Sequence, residues 1–131
     1  MPYSFDYDPA DKILAARVSG YVNRELIHEF YREATALIAV TDLRGSFVDL
    51  SKVVTFDVSA DEIHELATFP PADPLQARPR VCIAPLDRVY GLVRMFGIWG
   101  EATRPNFHVV RTFREAYAIL QLANPKFYPR E

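Results

Sequence analysis

The sequence predicts an α/β fold in the order β-β-α-β-α-β-α-β-α, with five strands in a mixed, mainly parallel sheet and four helices. Three observations carry that expectation. Short apolar runs alternate with longer segments of helical periodicity. Asparagine, serine and threonine stand just ahead of several of those segments, where helix N-caps belong. The 131 residues, 50% hydrophobic and 24% charged, suffice for one domain with a real core but not for two, so residues 1–131 are expected to form a single domain.

Tyr3, Phe5 and Tyr7 alternate with Ser4 and Asp6, the period of a half-buried strand. Pro9 to Lys12 makes a turn and Ile13 to Ser19 is a second strand, which gives a hairpin. Beyond Gly20, Asn23 caps a helix running to about Val40, in which Val22, Leu26, Phe30, Ala34, Leu37 and Ile38 share a face. Glu25, Glu29, Arg32 and Glu33 border or oppose that face. Gly45 to Leu50 reads as a short strand. A second helix begins at Ser59 and stops by Phe69, because Pro70 and Pro71 cannot continue it. Phe69 to Pro79 is rich in proline and reads as a stiff surface loop. Val81 to Pro85 is a strand, Asp87 to about Ala102 a third helix, Asn106 to Arg111 the last strand and Thr112 to Ala123 the last helix. This alternation implies parallel pairing with right-handed crossovers everywhere except the hairpin.

Composition narrows the function classes. No apolar run approaches the roughly 18 residues of a membrane span, and MPYSFDYD is acidic where a signal peptide is basic and then apolar, so a cytoplasmic location without a transmembrane segment is expected. Cys82, the single cysteine, lies in an apolar strand and is expected as a small core residue. Net charge is −2, yet residues 1–75 are acidic and residues 76–131 basic, a polarity that can drive weak homodimerisation or steer an anionic partner. The basic residues are spread singly and the pI is below 7, so no nucleic-acid partner is expected. His28, His64 and His108 have no companions at metal-ligand spacing, and no Gly-rich phosphate loop or nucleophile elbow is present. No metal, cofactor or catalytic residue is therefore assigned.

The stretch VDLSKVVTFDVSADEI, Val48 to Ile63, adds a resemblance. Asp49-Leu50-Ser51, then Asp57-Val58-Ser59 at a helix start, resembles the STAS domains, the fold shared by anti-sigma-factor antagonists and the cytoplasmic tails of sulfate transporters. The resemblance implies a non-enzymatic regulatory or protein–protein interaction module. In it Ser59 matches the phospho-acceptor, and Asp49 and Asp57 match the aspartates of the switch region. Val58 replaces the pattern's first serine and Ala60 its glycine. A second stretch, RVCIAPLDRVYGLVRMF from Arg80 to Phe96, is similar to bacterial STAS-like proteins loosely called SpoIIAA-like.

Several residues carry two readings at once. Ser59 and Glu62 have the spacing of a capping box, which accounts for the serine without phosphorylation, and acidic Asp57, Asp61 and Glu62 would repel a phosphate there. The cap is the preferred reading. In the third helix Val89, Leu92, Val93, Met95, Phe96 and Trp99 form the expected core arc, and Tyr90, Gly91, Arg94 and Gly97 the opposite face. Glycine inside a helix costs about 1 kcal/mol, so that face is expected to admit close approach by a ligand, a partner or a neighbouring element. Arg111, Thr112 and Arg114 surround the last helix start, a candidate anion site at a carboxyl end of the parallel strands, where Asp49, Ser59, Asp87 and Thr112 are expected to gather. The leading expectation is an interaction module with a protein partner. The alternatives are a carrier or sensor of an amphipathic or anionic small molecule beside the third helix, and a small hydrolase or isomerase using Asp49 or Asp57.

Overall fold

The computed structural model describes residues 2–123. The chain forms β1 (Tyr3–Asp8), β2 (Ile13–Asn23), α1 (Arg24–Ala39), β3 (Gly45–Asp57), α2 (Ala60–Ala67), β4 (Arg80–Ile83), α3 (Asp87–Trp99), β5 (Phe107–Val110) and α4 (Phe113–Leu120). The strands lie side by side in chain order, β1 antiparallel to β2 and the remaining pairs parallel. The expected α/β class, element order and mixed sheet are thus observed.

Strands added always in one direction by right-handed crossovers put their connecting helices on one face of the sheet. That face packs Leu26 and Phe30 of α1, Ile63 of α2 and Val89, Leu92 and Val93 of α3 onto Val18, Leu50 and Cys82. The alternate residues of the same strands, Ile13, Ala15, Phe47, Val81 and Ile83, point to the other face, where α4 covers them with Phe113, Ala116, Tyr117 and Leu120.

The helix starts follow their capping chemistry. The Asn23 side chain accepts from the Leu26 N–H at 2.9 Å. Ser59 and Thr112 each open a reciprocal capping box, with Glu62 and Glu115 respectively. Helix ends come earlier than expected: α2 closes at Ala67, α3 at Trp99 before Gly100, and α4 at Leu120. Gln121 adopts a left-handed φ of 57° there, and the Leu122 N–H turns back to the Tyr117 carbonyl at 2.8 Å.

The larger difference lies in β2 and β3, which run past the expected Ser19 and Leu50 to Asn23 and Asp57. They pair with each other beyond the ends of their neighbours, from Ser19↔Lys52 to Asn23↔Asp57, across irregularities near Gly20. Gly20 takes φ 78°, a left-handed conformation that glycine adopts without a Cβ penalty. Val53, Phe56 and Val58 are buried along this extension, so the residues between Ser51 and Ser59 form a half-buried arm. No helix among the described residues is long and apolar enough to cross a membrane.

Candidate functional site

The residues singled out in the sequence do not converge. Asp49 is completely buried and accepts hydrogen bonds from Arg17 Nε at 3.0 Å and from the Ser51 N–H at 2.8 Å. It stands opposite Arg17 in the β2–β3 register, so the carboxylate is an ion-paired part of the sheet. Asp57 ends the β3 arm and accepts from the Tyr21 hydroxyl at 2.8 Å. At about 3.3 Å per strand residue the two aspartates lie roughly 25 Å apart, so they do not form a carboxylate pair. The same extension carries Ser59 away from the end of β4, which pairs with β3 only as far as Asp49. Ser59 Oγ accepts from the Glu62 N–H at 3.1 Å, and its own N–H donates to Glu62 Oε1 at 2.9 Å.

Asp87 and Thr112 stay at the carboxyl end of the short strands, and Arg111 is occupied there. Its Nη1 contacts Asp87 at 2.5 Å and the Pro85 carbonyl at 3.2 Å, and its guanidinium lies 4.0 Å over the Tyr90 ring. The N-terminus of α4 already holds an anion, because Glu115 Oε1 accepts from the N–H groups of Arg111 and Thr112 and from the Thr112 hydroxyl. Arg114 is exposed on the first turn. Nor do Tyr90, Gly91, Arg94 and Gly97 form one open face: Tyr90 lies beneath Arg111, and a Cβ on Gly97 would meet the Phe107 ring at 3.1 Å. Gly97 therefore serves close packing of α3 on β5, whereas Gly91 faces open space. Trp99, expected in the core arc, is 43% exposed, with the His64 ring 4.6 Å away.

A different site lies inside the fold. A cavity of about 180 Å³ separates the sheet from the α1–α3 layer, lined by apolar groups that include Ala16, Phe30, Ala34, Leu50, Val93 and Phe107. Tyr31, Asp73, Arg80 and Arg104 stand at one end of it, although the surface presented to the cavity is apolar almost throughout. Arg80 is 9% exposed and Arg104 4%. Burial of charge on this scale is tolerated only when the donors are satisfied or a counter-charge is near.

Arg104 meets that condition. Its Nη1 donates to the Ala67 carbonyl at 3.1 Å, its Nη2 to the Phe69 carbonyl at 2.9 Å and the Tyr31 hydroxyl at 3.0 Å, and it lies 4.7 Å over the Phe96 ring. Gly100 makes room for it, since a Cβ there would come within 2.8 Å of Nη1. Arg80 meets the condition only in part. Its Nη2 donates to the Asp73 and Leu75 carbonyls at 2.8 and 2.9 Å, while buried Nε and Nη1 have no hydrogen-bond partner. Burial lowers the pKa of Arg80, Asp73 opposes that shift, and Arg104 and Arg78 add to it. Burial likewise raises the Tyr31 hydroxyl, with Arg104 opposing.

The Pro-rich segment, expected as a surface loop, is the wall at this end. Pro71, Ala72 and Asp73 line the cavity, and the carbonyls of Phe69, Pro70, Asp73, Leu75 and Ala77 are taken up by Arg104, Tyr31, Arg80 and Asn106. Rigid proline-rich backbone lacks the N–H groups for a ladder of its own, and arginine forks fix its carbonyls instead. Cys82 also lines the cavity, where burial pushes its thiol up to about 12 and suppresses nucleophilic chemistry.

Arg80, Arg104, Asp73 and Tyr31 were not among the sequence candidates. The available signals were an arginine opening a four-residue apolar strand, and a glycine placed four residues ahead of another arginine. Among the described residues no group of three or more His, Cys, Asp or Glu is placed to hold a metal ion. His108 contacts Asn106 at 2.7 Å, and His28 lies 3.5 Å from Glu65. Compared with models of known protein families and with curated proteins, the chain matches none.

Proposed function

We propose that the chain is a small-molecule-binding domain that takes an amphipathic ligand between its sheet and the α1–α3 layer. The observation that carries this reading is the apolar cavity of about 180 Å³. Protein cores are close-packed with few voids larger than a water molecule, whereas ligand sites are concave and mostly apolar, and this space is concave, partly open to the surface and apolar almost throughout. The carrier alternative thereby moves ahead of the interaction module, with the ligand against the Val93 and Phe96 side of α3 instead of its Tyr90–Arg94 side.

Native mass spectrometry of gently purified protein should show a co-purifying small molecule. Ala34→Leu, which extends a lining side chain into the void, should keep or raise the melting temperature while abolishing that species. Apo mass alone from several expression hosts, with no thermal shift from small acids or alcohols, would end the reading.

The regulatory module implied by the STAS resemblance is the second reading, favoured by exposed Ile98 and Trp99 at the end of α3. It makes Ser59 the discriminating residue. Ser59→Ala should cost about 0.5–2 kcal/mol in urea unfolding and Ser59→Asp should restore most of it, with neither altering partner capture from cell extract. A folded Ser59→Asp variant that gains or loses a partner would make Ser59 a switch and bring the module reading forward.

A further inference from the structure

Resting on the binding reading above, we infer that what enters the cavity is an uncharged hydrocarbon body, a single ring or short chain of about six to eight carbons, held without a hydrogen bond. Any polar group of the ligand stays outside. The surface presented to the cavity is apolar almost throughout, although four polar residues stand at one end of it. Their polar atoms are spent on the protein itself.

Arg104 gives Nη1 and Nη2 to the Ala67 and Phe69 carbonyls and the Tyr31 hydroxyl, and that hydroxyl donates in turn to the Pro70 carbonyl. Arg80 Nη2 holds the Asp73 and Leu75 carbonyls, and its Nε and Nη1 are buried and closed off from the cavity. The Asp73 carboxylate accepts from the Leu75 N–H at 3.0 Å and lies 3.6 Å from Arg78 Nε. The backbone groups of β2, β3 and β4 are paired along the parallel ladders, so the sheet offers the space only side chains such as Ala16, Val18, Val48 and Leu50. Ser46 adds a hydroxyl at the end marked by Arg80, its partner in the β3–β4 register. An ion or hydrogen-bonding group brought inside would give up its water for little in return, whereas a hydrocarbon sheds only unfavourable hydration.

The wall and the volume fit the same class of occupant. α2 ends at Ala67, and from there Pro-rich backbone takes over as the wall, presenting the short side chains of Pro71 and Ala72. Tyr31, Arg80 and Arg104 hold that backbone by its carbonyls, so it neither collapses into the void nor turns a donor toward it. A cavity of about 150 Å³ lined by Leu, Ile and Phe stays dry and binds benzene, with six heavy atoms. At about 180 Å³ the space here suits such a ring with one or two further carbons.

The test compares toluene, phenol and benzoate on the full chain by calorimetry, probes that share a ring and differ in the group attached to it. Toluene should bind at least tenfold more tightly than phenol, and phenol more tightly than benzoate. Nuclear Overhauser contacts should run from the toluene methyl to the methyls of Leu50 and Val93, and Ala34→Leu should remove toluene binding. If Ala34→Leu does not fold, the Overhauser contacts on the unaltered chain decide where toluene sits. Phenol or benzoate bound as tightly as toluene overturns the hydrocarbon inference and leaves the cavity reading standing. Toluene bound without those contacts, or bound unchanged by a folded Ala34→Leu, overturns it too. Binding of none of the three probes removes both readings together.

Discussion

On the α4 side of the sheet Arg17 reaches a carboxylate, and on the α1–α3 side Arg80 reaches only carbonyls. Arg17 and Asp49 face each other in register, 3.0 Å apart, with the second Asp49 oxygen taken by the Ser51 N–H. That side is closely packed, with Ala116 and Leu120 of α4 fully buried against the strands. The opposite side carries the void, the half-satisfied Arg80 and a wall of loop carbonyls. One sheet thus offers an internal control: the same residue type is completed within the chain on one face and left incomplete beside empty space on the other. The partnerless Arg80 nitrogens are closed off from that space, so what distinguishes this face is the apolar cavity itself.

The largest expected effect tests the contrast directly. Asp49→Ala strips Arg17 of this carboxylate and the part-buried Ser51 N–H of its acceptor, and should cost about 3–5 kcal/mol in urea unfolding. Arg80→Met replaces a half-satisfied cation by an apolar chain of similar length. It should cost less than half as much, because relief of desolvation offsets the lost bonds to the Asp73 and Leu75 carbonyls. A cost for Arg80→Met equal to that of Asp49→Ala would mean that Arg80 is as complete as Arg17, and the comparison would fail.

Cys82 reports whether the cavity side is dry. Its folded pKa stands at about 12 against an ordinary 9.0, through burial first and the charge of Asp49 second. The folded value is raised above the unfolded one, so the stability this thiol contributes is fully present below about pH 9. It is lost as pH climbs toward 12, because the unfolded chain releases a proton that the folded chain retains. One pH unit is worth about 1.4 kcal/mol, so between pH 9 and 11 the wild type should lose about 2–3 kcal/mol more than Cys82→Ala. Parallel pH profiles of the two proteins would show that water reaches the thiol through the cavity.

The sequence made the element order legible because each element has its own period and most helices their own cap: Asn23, Ser59 and Thr112 all stand where the helices begin. The length of β3 was not legible. Val53 and Phe56 are buried three residues apart, with exposed Val54 and Thr55 between them, so this stretch lacks the period of two that marks a strand. The candidate site was less legible still. Burial of Arg80 and Arg104 depends on the carbonyls of residues 69–75, which composition marks only as a proline-rich turn region. Conversely, Arg111 and Thr112 had the pattern of an anion site, and a carboxylate of the same helix, Glu115, fills it. Local chemistry is written in spacing, whereas the state of a buried charge is set by which distant backbone arrives beside it.

The smallest effects come from glycine, and they probe how far each face can yield. A Cβ on Gly45 would meet Leu120 Cδ2 at 3.0 Å and the Pro79 carbonyl oxygen at 3.1 Å. Neither neighbour can retreat easily, one being a fully buried side chain of α4 and the other backbone, so Gly45→Ala should destabilise by about 1–3 kcal/mol. A Cβ on Gly97 would press equally hard on the Phe107 ring, at 3.1 and 3.3 Å, but Phe107 lines the void and can shift into it. Replacing a mid-helix glycine also gains about 0.5–1 kcal/mol, so Gly97→Ala should leave stability unchanged or slightly raised. Gly91→Ala, with nothing within 4 Å, should show that gain alone and calibrates it. The displaced ring would occupy part of the ligand space, so Gly97→Ala should reduce the small molecule that co-purifies in native mass spectrometry where Gly91→Ala does not. Equal penalties at Gly45 and Gly97 in urea unfolding would show that the α1–α3 side is packed as tightly as the α4 side, and the void would then lose its standing as a place for a ligand.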